Sequence, residues 1–115
     1  MDKLLIVGAG GAVGAVLRYL LTMLPLRGAF PAATWMTNIL GALAIGFVVG
    51  LALGEISPGP GMVLFLKTGV CGGFTTFSTF SLETLELLEK GRLALGLGYA
   101  VSSLCLCVAG VWLGR

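Results

Sequence analysis

The residues best suited to chemistry in this sequence stand in one run, 72–80, which reads GGFTTFSTF. Adjacent glycines cost roughly 1 kcal/mol each relative to alanine in a helix, and β-branched threonines add smaller penalties. Two interpretations follow. Either the hydroxyls bond back to carbonyls one turn earlier and the helix stays intact, or the helix breaks and frees backbone groups for another partner. The density of small and hydroxylated residues favours the break.

Polar residues outside this run are few and regularly placed. Asn38 stands in an otherwise apolar stretch, where a polar side chain is costly unless it bonds to another helix or to a ligand. Tyr99, Ser103 and Cys107 recur at intervals of four, so a helix would place their side chains next to one another on one face. These residues are candidates for a polar path beside the break.

The elements that must position these residues are membrane helices. Of the 115 residues, 57% are hydrophobic and 10% are charged, which is more apolar surface than a soluble domain of this length covers. A helix needs about 20 apolar residues to cross the bilayer. Four stretches qualify: 4–24, 32–53, 62–88 and 93–112. We therefore predict a single all-α transmembrane domain over 1–115 with four transmembrane helices, the third broken at its centre near 72–79.

A break at mid-membrane constrains what lies beside it. Each backbone group left unpaired in lipid costs several kcal/mol, so the freed carbonyls and amides must face protein, water or an ion. Carbonyls suit a hard cation, and hydroxyls can meet an anion. The break thus predicts a non-lipid partner at mid-membrane, and the pattern of residues suggests a functional break where an ion could bind. The net charge of +2 is too small to indicate nucleic acid as a partner.

The basic residues give no preferred orientation in the membrane. Those on the side of the N-terminus are Lys3, Lys67 and Arg115. Those on the opposite side are Arg27, Lys90 and Arg92, with Arg18 near that end of its helix. Either the chain inserts one way and the count does not reveal it, or copies insert both ways and pair antiparallel. Because four short helices enclose little interior, we expect an oligomer with its aqueous path between subunits.

Glycines at helical spacing predict where helices approach closely. The second segment has Gly46, Gly50 and Gly54 at intervals of four, and the fourth segment repeats the spacing with Gly110 and Gly114. The first segment is also glycine-rich, with GAGGAVG at 8–14. Small residues spaced in this way let helix backbones come together in a membrane, so each of these faces should meet another helix.

Three blocks of the sequence together resemble the Fluc (CrcB-type) fluoride channels. They are GGAVGAVLRY at 10–19, TNILG at 37–41 and GVCGGFTTFSTFS at 69–81. The resemblance covers essentially the whole chain, and the third block is the most specific. It implies an antiparallel, dual-topology homodimer with two pores, which exports fluoride passively across the cell's inner (plasma) membrane and lowers cytoplasmic fluoride.

The resemblance also implies roles for individual residues. Backbone carbonyls of Gly72 and Thr75 would hold a structural sodium ion at the dimer interface. Arg18 and Glu83 would stand in the vestibule, although an arginine at a helix end can also simply extend its charge to the interface. The fluoride pore would be lined by Asn38, Phe77, Ser78, Thr79, Phe80, Tyr99 and Ser103. Cys107 departs from the serine that is usual at its position.

Aromatic rings in a pore are physically reasonable for an anion, because the ring edge carries partial positive charge without the strong trap of a buried lysine. The principal alternative from another class is a small four-helix multidrug or cation antiporter. Such a carrier needs a carboxylate in its first helix, and this sequence has no acid between Asp2 and Glu55. An enzyme is disfavoured because the chain has no histidine and no membrane-buried acid to act as a general base.

Overall fold

The computed structural model describes residues 2–115, and every regular element in that range is a helix. In chain order the helices are α1 (Asp2–Thr22), α2 (Ala32–Leu53), α3 (α-helical Pro60–Val63, π-helical Leu64–Cys71 and α-helical Gly72–Phe74), α4 (Phe77–Glu89) and α5 (Leu93–Gly114). The prediction of an all-α protein is confirmed.

Three of these helices are long and apolar enough to cross a membrane, namely α1, α2 and α5. The third predicted segment does not form one such helix. It is divided into α3 and α4, which are separated by two residues of extended backbone. The expected break is therefore present, and the third predicted segment consists of two shorter helices placed end to end.

The break lies at Thr75 and Thr76, whose φ and ψ angles are −84° and 157°, and −148° and 125°. Gly72 is still helical, with φ −63° and ψ −39°, so the chain leaves the helix after the glycines rather than at them. The back-bonding interpretation is also partly realised, because Thr75 Oγ1 donates to the Cys71 carbonyl (2.9 Å) and Ser81 Oγ to the Phe77 carbonyl (2.9 Å). These bonds flank the break without preventing it.

The helices pack as two pairs that alternate along the chain. Helix α1 lies along α3, and α2 lies along α5, whereas the consecutive helices α1 and α2 have little direct contact. In the first pair, a Cβ placed on Gly10 would lie 2.8 Å from the Gly69 Cα, and a Cβ on Gly73 would lie 3.0 Å from the Gly11 Cα. Only glycine permits this approach of two backbones.

The second pair uses the predicted glycine faces, with one exception. Gly46 and Gly50 of α2 lie against the backbone of Val111 and Arg115, and Gly114 of α5 lies against the backbone of Leu43. Gly110 similarly faces the Ala42 Cβ. The prediction is wrong for Gly54, which directly follows α2 and where an added Cβ would meet only carbonyls of α2 itself.

Candidate functional site: a pocket at the helix break

A pocket of about 360 Å³ opens beside the break, between α2, the two half-helices and α5. Its polar lining residues are Asn38, Thr75, Thr76 and Ser103, and its aromatic ones are Phe77 and Phe80. Glycine, alanine, larger aliphatic residues and two cysteines complete the wall, and no charged side chain lines the pocket in the described part of the chain. The site is apolar, with a few polar groups at fixed positions.

Asn38 holds the break open through both ends of its side-chain amide. Its Oδ1 accepts from the Thr76 amide (2.8 Å), and its Nδ2 donates to the Thr76 carbonyl (3.0 Å). Without Asn38 the Thr76 amide would be unpaired, at a cost of about 1–3 kcal/mol, whereas the Thr76 carbonyl, as the N-cap carbonyl of α4, also accepts the first bond of that helix. Asn38 thus forms the helix-to-helix bond that its position allowed, and one of its two amide hydrogens is left for another acceptor.

Helix α4 starts directly after the break with a side-chain cap. Thr76 Oγ1 accepts from the Thr79 amide (3.2 Å), the usual arrangement for threonine at an N-cap. The start of a helix carries a partial positive charge of roughly half a unit. Because Thr76 and Phe77 line the pocket, this charge is presented to it.

Gly41 allows α2 to reach the break. A Cβ on Gly41 would overlap the Thr75 methyl group and come within 3.3 Å of the Phe74 ring. The approach brings Asn38, one turn earlier, to the Thr76 peptide. Gly41, three residues after Asn38, therefore contributes to the same contact between α2 and the break.

The carbonyls of Gly72 and Thr75 lose the partners that a continuous helix would provide. The Thr76 amide, which would bond to Gly72, goes instead to Asn38. The Thr79 amide, which would bond to Thr75, goes to Thr76 Oγ1. Both residues line the pocket. Two carbonyl oxygens released in this way fit the chemistry of a hard cation such as sodium.

Three aromatic rings follow one another from the pocket into α5. The centroids of Phe77 and Phe80 are 5.6 Å apart, and those of Phe80 and Tyr99 are 5.2 Å apart. Phe77 is 79% exposed, whereas Tyr99 has no exposed surface. The Tyr99 hydroxyl donates to Glu83 Oε1 (2.9 Å), so this carboxylate lies beside the inner end of the ring series.

Ser103 is the one residue whose side-chain polar atom is buried without a hydrogen-bond partner in the described range. Its side chain is 5% exposed and lines the pocket. Burying an unpaired hydroxyl costs about 1–3 kcal/mol, so the group is suited to a ligand that accepts a hydrogen bond. Cys107, one turn further along α5, also lines the pocket.

The structure brings together six of the predicted site residues, which line the pocket: Asn38, Gly72, Thr75, Phe77, Phe80 and Ser103. The first-turn residues Ser78 and Thr79 and the buried Tyr99 are outside its lining. Arg18 lies on another side of the break, where its Nε donates to the Gly73 carbonyl (3.3 Å).

Sequence reasoning missed Thr76 and Gly41 as site residues. A signal for Thr76 was present, because threonine directly before an apolar segment is a typical helix N-cap. Gly41 does not belong to the glycine series at intervals of four that follows it in α2, and the only signal for it was its place in the TNILG block at 37–41.

Comparisons with known proteins identify a family that matches nearly the whole chain. The family described as CrcB-like protein, Camphor Resistance (CrcB), matches residues 5–115. A protein of Rhizobium meliloti is 45% identical over 99% of this chain and 94% of its own length. A protein of Nitratidesulfovibrio vulgaris is 46% identical over 99% of this chain and 94% of its own length. A protein of Clostridium perfringens is 43% identical over 100% of this chain and 94% of its own length. Each of these relatives is named a fluoride-specific ion channel, FluC.

These matches extend over every helix of the fold, including both half-helices and the α2–α5 pair. Together with three helices of membrane-spanning length and composition, they make the chain a membrane protein. Its relatives are named as ion channels, not as enzymes. The chain belongs to the CrcB family.

Proposed function

We propose that the protein is a passive, fluoride-selective ion channel of the cell's inner (plasma) membrane, which lets fluoride leave the cell and so lowers cytoplasmic fluoride. The observation that carries the proposal is the identity of 42–46% over nearly the whole chain with proteins named fluoride-specific ion channels. The pocket at the helix break supports it, because it combines the start of a helix with aromatic rings and an unpaired hydroxyl.

The pocket suits a small anion that must pass without being trapped. The positive edges of Phe77 and Phe80, the free amide hydrogen of Asn38 and the Ser103 hydroxyl each offer a weak favourable contact. A lysine or arginine in the same place would bind the anion too strongly for rapid release, and conduction requires binding that is easily reversed. Ser78, Thr79 and Tyr99 would extend this path along α4 and α5, and Arg18 and Glu83 would stand at its vestibule.

The complete channel is proposed to be an antiparallel homodimer with two pores. The exposed Phe77 ring and the open side of the pocket need a covering surface, and a second copy provides one. Basic residues balanced between the two sides permit insertion in both orientations. Cross-linking that finds only parallel subunits in the membrane would contradict the arrangement.

A sodium ion at the dimer interface is proposed as a structural component. The Gly72 and Thr75 carbonyls, released by the break, would hold it, and the second copy would contribute the matching pair. When bound, the ion supplies a fixed positive charge that neutralises carbonyl dipoles brought together from two chains. The role of this chain's residues is to keep those carbonyls out of helical hydrogen bonds, which Asn38 and Thr76 do.

The antiporter alternative is disfavoured by the same site. A proton-coupled exporter needs a carboxylate that alternately binds a proton and a cation, and no acidic side chain lines the pocket in the described range. Glu83 is held by Tyr99 instead of facing the pocket. An antiporter would also require a proton gradient, which a passive channel does not.

The test is ion efflux from liposomes that contain the purified protein. With an imposed potassium gradient and valinomycin, a fluoride electrode should record rapid fluoride release without a proton gradient, while a chloride electrode under identical conditions records almost none. Protein-free liposomes are the control. Equal fluoride and chloride fluxes, or flux only in the presence of a proton gradient, would contradict the proposal.

A further inference from the structure

The aromatic series beside the pocket continues beyond Tyr99 to residues outside the site described above. The Phe30 centroid is 5.5 Å from that of Tyr99 and 5.5 Å from that of Trp35. With Phe77 and Phe80 this gives five rings in succession. The series leads from the break at mid-membrane to the loop between α1 and α2.

Phe30 is the member of the series that lies in this loop, and its ring contacts those of Tyr99 and Trp35. Its loop is on the side of the membrane on which α4 ends and α5 begins, because α1 reaches that side and α2 leaves from it. Tyr99 has no exposed surface, and its ring lies between Phe80 on the pocket side and Phe30 on the loop side. Phe30 therefore covers the end of the aromatic series that faces the loop.

The Phe30 ring is held in place by a defined frame. It meets Trp35 at 76° and Tyr99 at 88°, the edge-to-face geometry that aromatic pairs prefer. The Trp35 indole Nε1 donates to Ser102 Oγ (3.1 Å), and Ser102 Oγ donates to the Tyr99 carbonyl (3.3 Å). Trp35 and Tyr99 are thus linked through α5, and Phe30 packs against both.

We propose that Phe30 is a further selectivity-determining residue, whose ring closes the loop-side end of the ion path and restricts it to small anions. This inference rests on the proposed function. Because the Phe30 ring packs against both Trp35 and Tyr99, an ion that leaves past Tyr99 on the loop side must displace it. A larger anion requires a larger displacement of the Trp35–Phe30–Tyr99 packing. Trp35 is the positioning residue that returns the ring to its place.

The first measurement is the ratio of chloride to fluoride flux in liposomes. Phe30→Ala should raise this ratio by about tenfold or more, because the closing ring is lost. Phe30→Leu retains most of the apolar volume, so it should keep the loop folded even if Phe30→Ala disturbs it. It should raise the chloride-to-fluoride flux ratio by a smaller factor. Phe47→Ala is the matched control, since Phe47 is 57% exposed on α2 and belongs to none of these ring pairs. A ratio unchanged in both Phe30 variants would overturn the proposal.

The second measurement does not depend on ion transport. In a Trp112→Phe background Trp35 is the sole tryptophan, and iodide in the aqueous phase quenches tryptophan that it can reach. Phe30→Ala should increase this quenching severalfold, and Phe47→Ala should not. If the unaltered protein passes no fluoride, the proposed function fails, yet the closing role of Phe30 is still decided here. Unchanged quenching in Phe30→Ala would contradict that role.

Discussion

The two halves of the broken helix are held by different kinds of contact. Helix α3 lies on α1 through backbone, with Gly69 against Gly10 and Gly73 against Gly11. Helix α4 lies on α5 through side chains, chiefly the Phe80–Tyr99 ring pair and the hydrogen bond from Tyr99 to Glu83. The first interface is closest where backbone meets backbone, with the Arg18 bond to the Gly73 carbonyl as a side-chain contact beside it, whereas the second depends on side chains that can rearrange.

This difference suits the two halves of the broken helix to different tasks. Where two backbones are in contact, one helix cannot move without moving as a whole. The α1–α3 packing therefore fixes the position and orientation of the carbonyls at the break. Side-chain contacts can be exchanged one by one, so α4 and α5 can be tuned for the passing ion without loss of the fold. Substitutions in the α1–α3 interface should therefore affect assembly, and substitutions around α4 and α5 should mainly affect flux.

The largest effect is expected from Gly14→Ala in α1. Its Cβ would lie 2.7 Å from the Phe74 amide nitrogen and 3.0 Å from the Gly73 carbonyl carbon, both backbone atoms that cannot turn aside. Overpacking of this kind costs about 1–3 kcal/mol or more. Thermal unfolding in detergent should show a clear loss of stability, accompanied by loss of fluoride flux.

The matched control for that substitution is Gly11→Ala in the same helix, where a Cβ would meet nothing within 4 Å. Alanine is favoured over glycine by about 1 kcal/mol in a helix, so Gly11→Ala should preserve or raise the unfolding temperature. Equal destabilisation by the two substitutions would refute the assignment of the α1–α3 contact to specific glycines.

An intermediate effect is expected from Asn38→Ala, which removes both hydrogen bonds to Thr76. The Thr76 amide then lacks a partner at a cost of about 1–3 kcal/mol, and the break can close or distort. We expect fluoride flux in liposomes to fall by about tenfold or more, with a lower unfolding temperature.

Ser81→Ala is the control for this second prediction, because the Ser81 hydroxyl only bonds back to the Phe77 carbonyl within α4. Its loss should change flux and stability little. Full fluoride flux in Asn38→Ala would mean that the break does not depend on this side chain.

The smallest effect is expected from Ser103→Ala. Removing an unpaired buried hydroxyl relieves a cost of about 1 kcal/mol, so the unfolding temperature should stay the same or rise slightly. Fluoride flux should nevertheless fall by about threefold, because a hydrogen-bond donor to the anion is lost. Ser103→Cys keeps a side chain of similar size with a weaker hydrogen-bond donor. Its fluoride flux should therefore lie between that of the unaltered protein and that of Ser103→Ala. A decrease in stability with unchanged flux would assign Ser103 to packing instead.

Much of this fold could be predicted from the sequence, because it depends on local properties. Hydrophobic segments of bilayer length predict the helices, and a run of glycine, threonine and serine predicts the break. The bounds of the second helix, 32–53, coincide with those of α2. Small residues at intervals of four predict the α2–α5 contact through Gly46 and Gly114.

The remaining features depend on contacts between distant residues. No pattern in the sequence predicted the π-helical segment Leu64–Cys71, and the run 72–79 did not by itself place the break at Thr75 and Thr76. The two bonds of Asn38 join residues 38 positions apart. Phe30 appeared in a loop without a pattern, and only the folded chain brings it to Tyr99.

The alternating pairing of the helices also bears on how the chain is made. Helix α1 finds its partner as soon as α3 has left the ribosome, but α2 must wait in the membrane for α5, with the Trp35–Ser102 bond spanning 67 residues. At about 5–20 residues per second, that wait lasts several seconds. During this time the glycine face of α2 is covered only by lipid or by other nascent helices, so packing of this face depends on the arrival of α5.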